Sequence, residues 1–280
     1  MDARDTEDIG FAGQAQPAAP AAQAADSPAA AAAQAAASEQ AAAERAEACG
    51  LRLVRDDEGL ALAGDGMLLR ADFARLLPRV REDRLQRELL VRAARVKDAQ
   101  DPRAVDATAG LAEDSFLLAA AGFRVELYER DPVIAALLRD ALARAEADPR
   151  LAPITGRMRL HEEDSVAALT HMEAAPDLVY LDPMFPARRK SAAVKKKLQL
   201  LQRLEAPCTD EDAEALVRAA VAAGPRKVVI KRPPKGPQLA GIKPAYSLEG
   251  KAVRFDCLVP ANMPAAQDAQ AGAGAAQPTD

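Results

Sequence analysis

The chain has 280 residues, a formal net charge of −5 and three cysteines, Cys49, Cys208 and Cys257, that share no CxxC or Cys/His spacing. That pattern argues against a disulfide framework and against a structural zinc, so no metal is expected. No stretch is long and apolar enough to span a bilayer, and the acidic N-terminus lacks the basic n-region of a secretory signal, so a cytoplasmic protein without a membrane partner is expected.

Residues 1–47 are mostly Ala, Gln, Pro, Ser and acidic residues. They have little to bury against the entropy of ordering and are expected to form a disordered tail, with transient helix in the Ala-rich part. Residues 48–100 read as a small N-terminal extension. In it, Leu51-Arg-Leu-Val and Leu60-Ala-Leu pair as a hairpin across Asp56-Asp57-Glu58-Gly59, and an Arg/Glu-rich helix runs over Phe73–Val96, interrupted at Pro78.

Residues 101–259 carry the main domain. Ala104-Val105-Asp106-Ala107 is a short apolar strand running into the turn Thr108-Ala109-Gly110, and Ser115–Ala121 is an apolar helix stopped by Gly122. Arg124–Glu129 alternates as a strand; Asp131-Pro132 then opens a helix with Asp as N-cap and Pro at its first position. Strands follow at Arg157–His161 and Asp177–Asp182, with a short helix Ser165–His171 between them. A helix follows Asp210, then a strand at Lys227–Lys231, and Ala252–Val259 pairs with a strand near Tyr246. Residues 260–280 read as a second disordered tail. Strands alternating with helices at this spacing imply an α/β domain with a mostly parallel sheet, and the last strand pair implies an antiparallel edge.

In such sheets ligands bind outside the carboxyl ends of the strands. Asp106 and Gly110 belong to a small-residue turn that opens a helix, where the backbone can approach a cofactor. With one glycine the pattern is not GxGxxG, and such a turn can also be a mere connection. Glu129, about twenty residues on, is placed to accept hydrogen bonds from ribose hydroxyls. Asp164 and Ser165 can contact an adenine edge, although Asp164 can equally cap the following helix.

Asp182-Pro183-Met184-Phe185 follows the most apolar strand. An exocyclic amino group on a base is a poor nucleophile, because its lone pair is delocalised into the ring. A site that alkylates it must accept its N–H bonds and hold the nitrogen in line with the electrophile. Asp182 supplies an acceptor, Pro183 restricts the chain, and Phe185 offers a stacking face. A bare D-P-x-F can also be an ordinary strand-to-loop turn with a core Phe; its position at a strand end favours the site. Basic residues Arg188, Arg189, Lys190, Lys195 and Lys196, with Lys231 and Arg232 after the next strand, are expected to rim the pocket and contact nucleic-acid phosphates flanking the target base.

The segments V-D-A-T-A-G-L, L-Y-E-R-D-P-V-I-A-A-L-L, V-Y-L-D-P-M-F-P and V-I-K-R-P resemble the ribosomal small subunit methyltransferase J family, over about Ala104–Val259. The resemblance implies a class I, Rossmann-like methyltransferase fold, S-adenosylmethionine as cofactor, and methylation of the N2 of one guanosine in 16S rRNA, free or in the 30S subunit. It places cofactor contacts on Glu113 and Asp114, Glu129 and Arg130, Asp164 and Ser165, and Asp182. Glu113, Asp114 and Arg130 rest on the resemblance alone. Three departures stand out: Ala112-Glu113 where the family usually has Gly and a basic residue, Asp164 where Ser is common, and no Gly-rich basic segment before the first strand of the main domain. Methylation of another nucleic-acid amine, such as DNA adenine, and cofactor or RNA binding without turnover stay open as alternatives.

Overall fold

The structure is a computed structural model and describes residues 28–184, 196–204 and 208–262. The chain divides into a unit of residues 1–37 and a unit of residues 38–280 that holds the sheets.

Part of the expected N-terminal tail is ordered. Helix α1 spans Pro28–Ala48, and Ala42 and Ala46 are fully buried in a cluster with Leu51, Leu60 and Leu62. Alanine favours helix more than any other residue, and alanines four apart share a face that a sheet can approach closely. Strands β1 (Arg52–Asp56), β2 (Gly59–Gly64) and β3 (Met67–Leu69) make a three-stranded antiparallel sheet, with Asp56 opposite Gly59 in the expected hairpin.

The interrupted helix expected over Phe73–Val96 is three short pieces: a 3-10 turn at Ala74–Leu76, α2 (Glu82–Leu85) and α3 (Leu89–Ala94). Besides the break at Pro78, the chain is extended at Arg81 and Glu88, whose ψ values are 139° and 128°. Arg79 ties the bends together with two 2.9 Å bonds to the Glu88 carboxylate.

The main domain continues through β4 (Arg103–Asp106), α4 (Glu113–Ala120), β5 (Arg124–Tyr128), α5 (Pro132–Glu146) and α6 (Ala152–Thr155). Then come β6 (Met158–His161), α7 (Ser165–Thr170), β7 (Leu178–Leu181), α8 (Lys196–Leu204) and α9 (Asp210–Ala222). It closes with β8 (Lys227–Arg232), β9 (Tyr246–Glu249) and β10 (Arg254–Leu258). Among the described residues these strands form a seven-stranded sheet, ordered β6-β5-β4-β7-β8-β10-β9. The first five are parallel, and β10 runs antiparallel to both β8 and β9.

Every residue of β7 is buried, as a parallel strand covered on both faces requires. Tyr180 packs with Phe116, Leu127 and Val229 on one side, and Val179 and Leu181 with Leu216, Val217 and Ile230 on the other. Helix α8 was not apparent in the basic segment where it begins. It buries Leu200, Leu201 and Leu204 with Val133, Ile134 and Leu137 of α5.

The chain adds β5 and β6 on one side of β4 but β7 and β8 on the other, so the direction of growth reverses between β4 and β7. A crevice outside the carboxyl ends at such a reversal is where ligands bind in open parallel sheets.

Candidate active site

The turn after β4 is built around Asp106, which is 1% exposed. Its Oδ1 accepts from the Thr108 backbone N–H at 3.0 Å and the Thr108 hydroxyl at 3.4 Å, and its Oδ2 accepts from Ser115 Oγ at 2.5 Å. Asp106, expected among the cofactor ligands, is therefore sealed beneath the turn and ties it to the first turn of α4. Burial pushes its carboxyl up to about 7, against the pull of the Ser115 and Thr108 bonds and with the help of Asp114 and Asp182.

Gly110 and Ala112 both take left-handed backbone, each with φ of 54°. The Gly110 N–H donates to Glu129 Oε2 at 3.0 Å, so the turn leans on the end of β5. Alanine in this conformation costs about 1–2 kcal/mol, whereas its buried methyl contributes about 0.8 kcal/mol. Ala112→Gly is therefore expected to stabilise the protein by up to ~1 kcal/mol, a Tm rise of about 2–4 °C by calorimetry. A fall in Tm would mean that the methyl's packing outweighs the strain.

At the end of β5, Glu129 is 5% exposed; its Oε1 accepts from the Asp131 N–H at 2.8 Å while Oε2 faces the turn. Asp131 caps α5 through the N–H groups of Val133 and Ile134, as its place before Pro132 predicts. At the end of β6, Asp164 caps α7: its Oδ1 accepts from the Val166 and Ala167 N–H groups at 2.9 and 3.1 Å. Its Oδ2 lies 3.2 Å from Nη1 of Arg130, an exposed side chain. Ser165 is half-buried as the first residue of α7.

The ends of β7 and β8 hold the chemistry. The Asp182 N–H donates to Thr108 Oγ1 at 2.7 Å, locking the strand end onto the β4 turn. Lys231 Nζ lies 2.8 Å from Asp182 Oδ2 and 2.7 Å from Asp114 Oδ2, and the Tyr180 hydroxyl donates to that same Asp114 oxygen at 2.6 Å. Burial pushes the Asp182 carboxyl above the ordinary carboxylate range; Lys231 draws it back down and Asp114 adds to the rise. Burial alone would lower the Lys231 ammonium, but Asp114 and Asp182 more than offset this and raise it. Burial, then the flanking carboxylates, hold the Tyr180 hydroxyl well above its usual value, so it stays a donor.

Two of the expected rim residues are placed elsewhere. Lys231 points into the site between two carboxylates, because its position on β8 brings it beside Asp182 at the end of the neighbouring parallel strand. Arg232 is 3% exposed, with Nε donating to the Pro237 carbonyl at 2.9 Å, so it braces the loop after β8. Pro183 is buried, and the Met184 carbonyl accepts from the Cys208 N–H at 2.9 Å. Phe185, Arg188, Arg189, Lys190 and Lys195 lie outside the described residues; Lys196 begins α8, and its side chain is outside them too.

Thr108, Ser115 and Tyr180 were not singled out from the sequence. Tyr180 alone carried a signal, since a buried tyrosine hydroxyl must find a partner.

The first turn of α4 carries Glu113 and Asp114. A dinucleotide diphosphate would meet like charge there, where phosphate-binding turns present bare N–H groups. Asp114, Glu129, Asp164 and Asp182 form an acceptor-rich rim suited to hydroxyl and ammonium groups and to a sulfonium cation. The residues present thus fit S-adenosylmethionine better than a nicotinamide dinucleotide. Glu113 itself is half exposed and 3.5 Å from Arg75.

A family model described as "Putative SAM-dependent methyltransferase" matches residues 36–260. A curated protein of Thioalkalivibrio sulfidiphilus named Ribosomal RNA small subunit methyltransferase J is 44% identical over 218 residues, covering 75% of this chain and 84% of its own length. The chain belongs to the methyltransferase J family. A Pseudomonas aeruginosa (strain LESB58) protein of the same name is 49% identical over 170 residues; that match covers 60% of this chain and 64% of the relative's length. A solved SAM-dependent methyltransferase from Neisseria gonorrhoeae superposes with a TM-score of 0.57 at 31% identity, over 76% of this chain and 84% of that one. The fold is thus that of the SAM-dependent methyltransferases, and Glu113-Asp114, Glu129-Arg130, Asp164-Ser165 and Asp182, where the resemblance places cofactor contacts, follow the carboxyl ends of β4, β5, β6 and β7.

Proposed function

We propose that the chain methylates the exocyclic N2 of a guanosine in 16S rRNA, with S-adenosylmethionine as donor. The observation that carries this reading is Asp182: a carboxylate at the β4/β7 reversal, anchored by its own N–H to Thr108 and bridged by Lys231 to Asp114. When bound, the cofactor supplies a methyl group on a sulfonium. Glu129, fixed by Gly110 and Asp131, accepts from the ribose hydroxyls, and Asp164 with Ser165 borders the adenine side. The acidic set of Asp114 and Asp182 favours the cationic end of the donor.

On the substrate side Asp182 accepts an N–H bond from the target amine, which concentrates the nitrogen lone pair and fixes its direction. Phe185 provides a stacking face for the base, and Arg188, Arg189, Lys190, Lys195 and Lys196 contact flanking phosphates. The partner is 16S rRNA, free or within the 30S subunit. Arg130, 3.2 Å from Asp164, stands with Glu129 on the cofactor side.

Transfer of tritiated methyl groups should label under-methylated 30S subunits or free 16S rRNA and leave duplex DNA unlabelled. Digestion of the product should then yield N2-methylguanosine. Label on DNA adenine would replace the RNA reading, and cofactor binding without transfer to any of these substrates would replace the enzyme.

A further inference from the structure

Lys231 does not behave as a surface cation. Among the described residues its ammonium makes two close contacts, both to carboxylates, and these come from different elements: Asp114 in the first turn of α4 and Asp182 after β7. The Tyr180 hydroxyl shares the same Asp114 oxygen, so four groups form one chain from β7 through α4 to β8 and back to the end of β7. Two carboxylates this close to one ammonium would repel each other in its absence, and one of them would take up a proton.

We propose that Lys231 is a positioning residue for Asp182: its ammonium, anchored on Asp114, pairs with the Asp182 carboxylate and aims it before the target amine arrives. No bond to Lys231 forms or breaks in the reaction. This rests on the reading of Asp182 as the acceptor for the target amine. The charged and titratable groups around the bridge are Asp106 at the end of β4, Asp114 on α4, Tyr180 on β7 and Arg232 on β8, with Arg79 acting on Asp114 from the segment before α2.

The test compares Lys231→Met, Lys231→Arg, Asp114→Asn and Asp182→Ala in the full chain. It uses 30S subunits and labelled S-adenosylmethionine, with kcat and KM followed across pH. Lys231→Met should lower kcat at neutral pH by up to about 100-fold, the scale of a misplaced reacting group, and move the acid limb of the profile up by about one pH unit or more. KM for the 30S subunit should change little, and Lys231→Arg should restore much of kcat. Asp114→Asn leaves Lys231 to Asp182 alone and should move the acid limb the other way, which keeps a readout if Lys231→Met does not fold. A raised KM with the acid limb in place would make Lys231 an RNA contact and overturn the proposal, as would a limb that moves in neither variant. Asp182→Ala, which leaves no acceptor at this position, separates the two levels. Full activity there sinks the acceptor reading itself, whereas an inactive Asp182→Ala beside an unmoved limb in the other variants sinks only the role of Lys231.

Discussion

Asp182→Ala is expected to slow methyl transfer by at least about 10²–10³-fold, measured as single-turnover incorporation of labelled methyl into 30S subunits. The substitution removes the acceptor but not the architecture. The Asp182 backbone N–H still donates to Thr108 Oγ1, and Lys231 keeps its 2.7 Å contact with Asp114. With the side chain 39% exposed, little packing is lost, so the melting temperature should stay near that of the parent protein. Activity within threefold of the parent would remove Asp182 from the mechanism. A collapse of the melting temperature would mean instead that the Lys231 bridge is chiefly structural.

The second large effect is on stability. In the unfolded chain the Asp106 carboxyl titrates near its ordinary 3.8, whereas in the fold burial pushes it up to about 7. Between those values the folded state holds a proton on Asp106 that the unfolded state has lost, so this group's contribution to stability is fully present below about pH 4 and is lost as pH rises to about 7. At about 1.4 kcal/mol per pH unit, the separation amounts to roughly 4 kcal/mol. Asp106→Asn keeps an oxygen for the Thr108 N–H and an amide that can reach Ser115, and it does not ionise. Urea unfolding at pH 5 and at pH 8 should therefore show a much flatter dependence for Asp106→Asn than for the parent. Equal slopes for the two proteins would refute the buried, late-titrating carboxyl.

The local signals were strong where residue type alone decides backbone behaviour. Asp131-Pro132 opened a helix because the carboxylate satisfies free N–H groups and the ring presets φ, and the side chain does accept from Val133 and Ile134. The aliphatic run before Asp182 reads as a strand, and Leu178–Leu181 is a strand buried along its whole length. Signals failed where many weak preferences had to be summed. The Arg/Glu-rich stretch over Phe73–Val96 has helical composition throughout, yet salt bridges and extended residues fold it back in short pieces. The alanines of α1 looked too small to offset the cost of ordering, but Ala42 and Ala46 are fully buried in a cluster with Leu51, Leu60 and Leu62.

Read without coordinates, the chain already declared an α/β alternation, an antiparallel last pair of strands, and the candidate residues Asp106, Glu129, Asp164 and Asp182 at strand ends. Alternation, caps and turns are local, so a linear reading reaches them. Strand order is not local. Only the packed sheet placed β7 beside β4, made that boundary the reversal point, and so brought Asp182 onto Thr108. Likewise the sign of a residue says what it can pair with but not where it points. Lys231 reads as one more basic residue at a strand end. The lateral pairing of β8 with β7 turned it inward, between two carboxylates that lie 49 and 117 residues away along the chain.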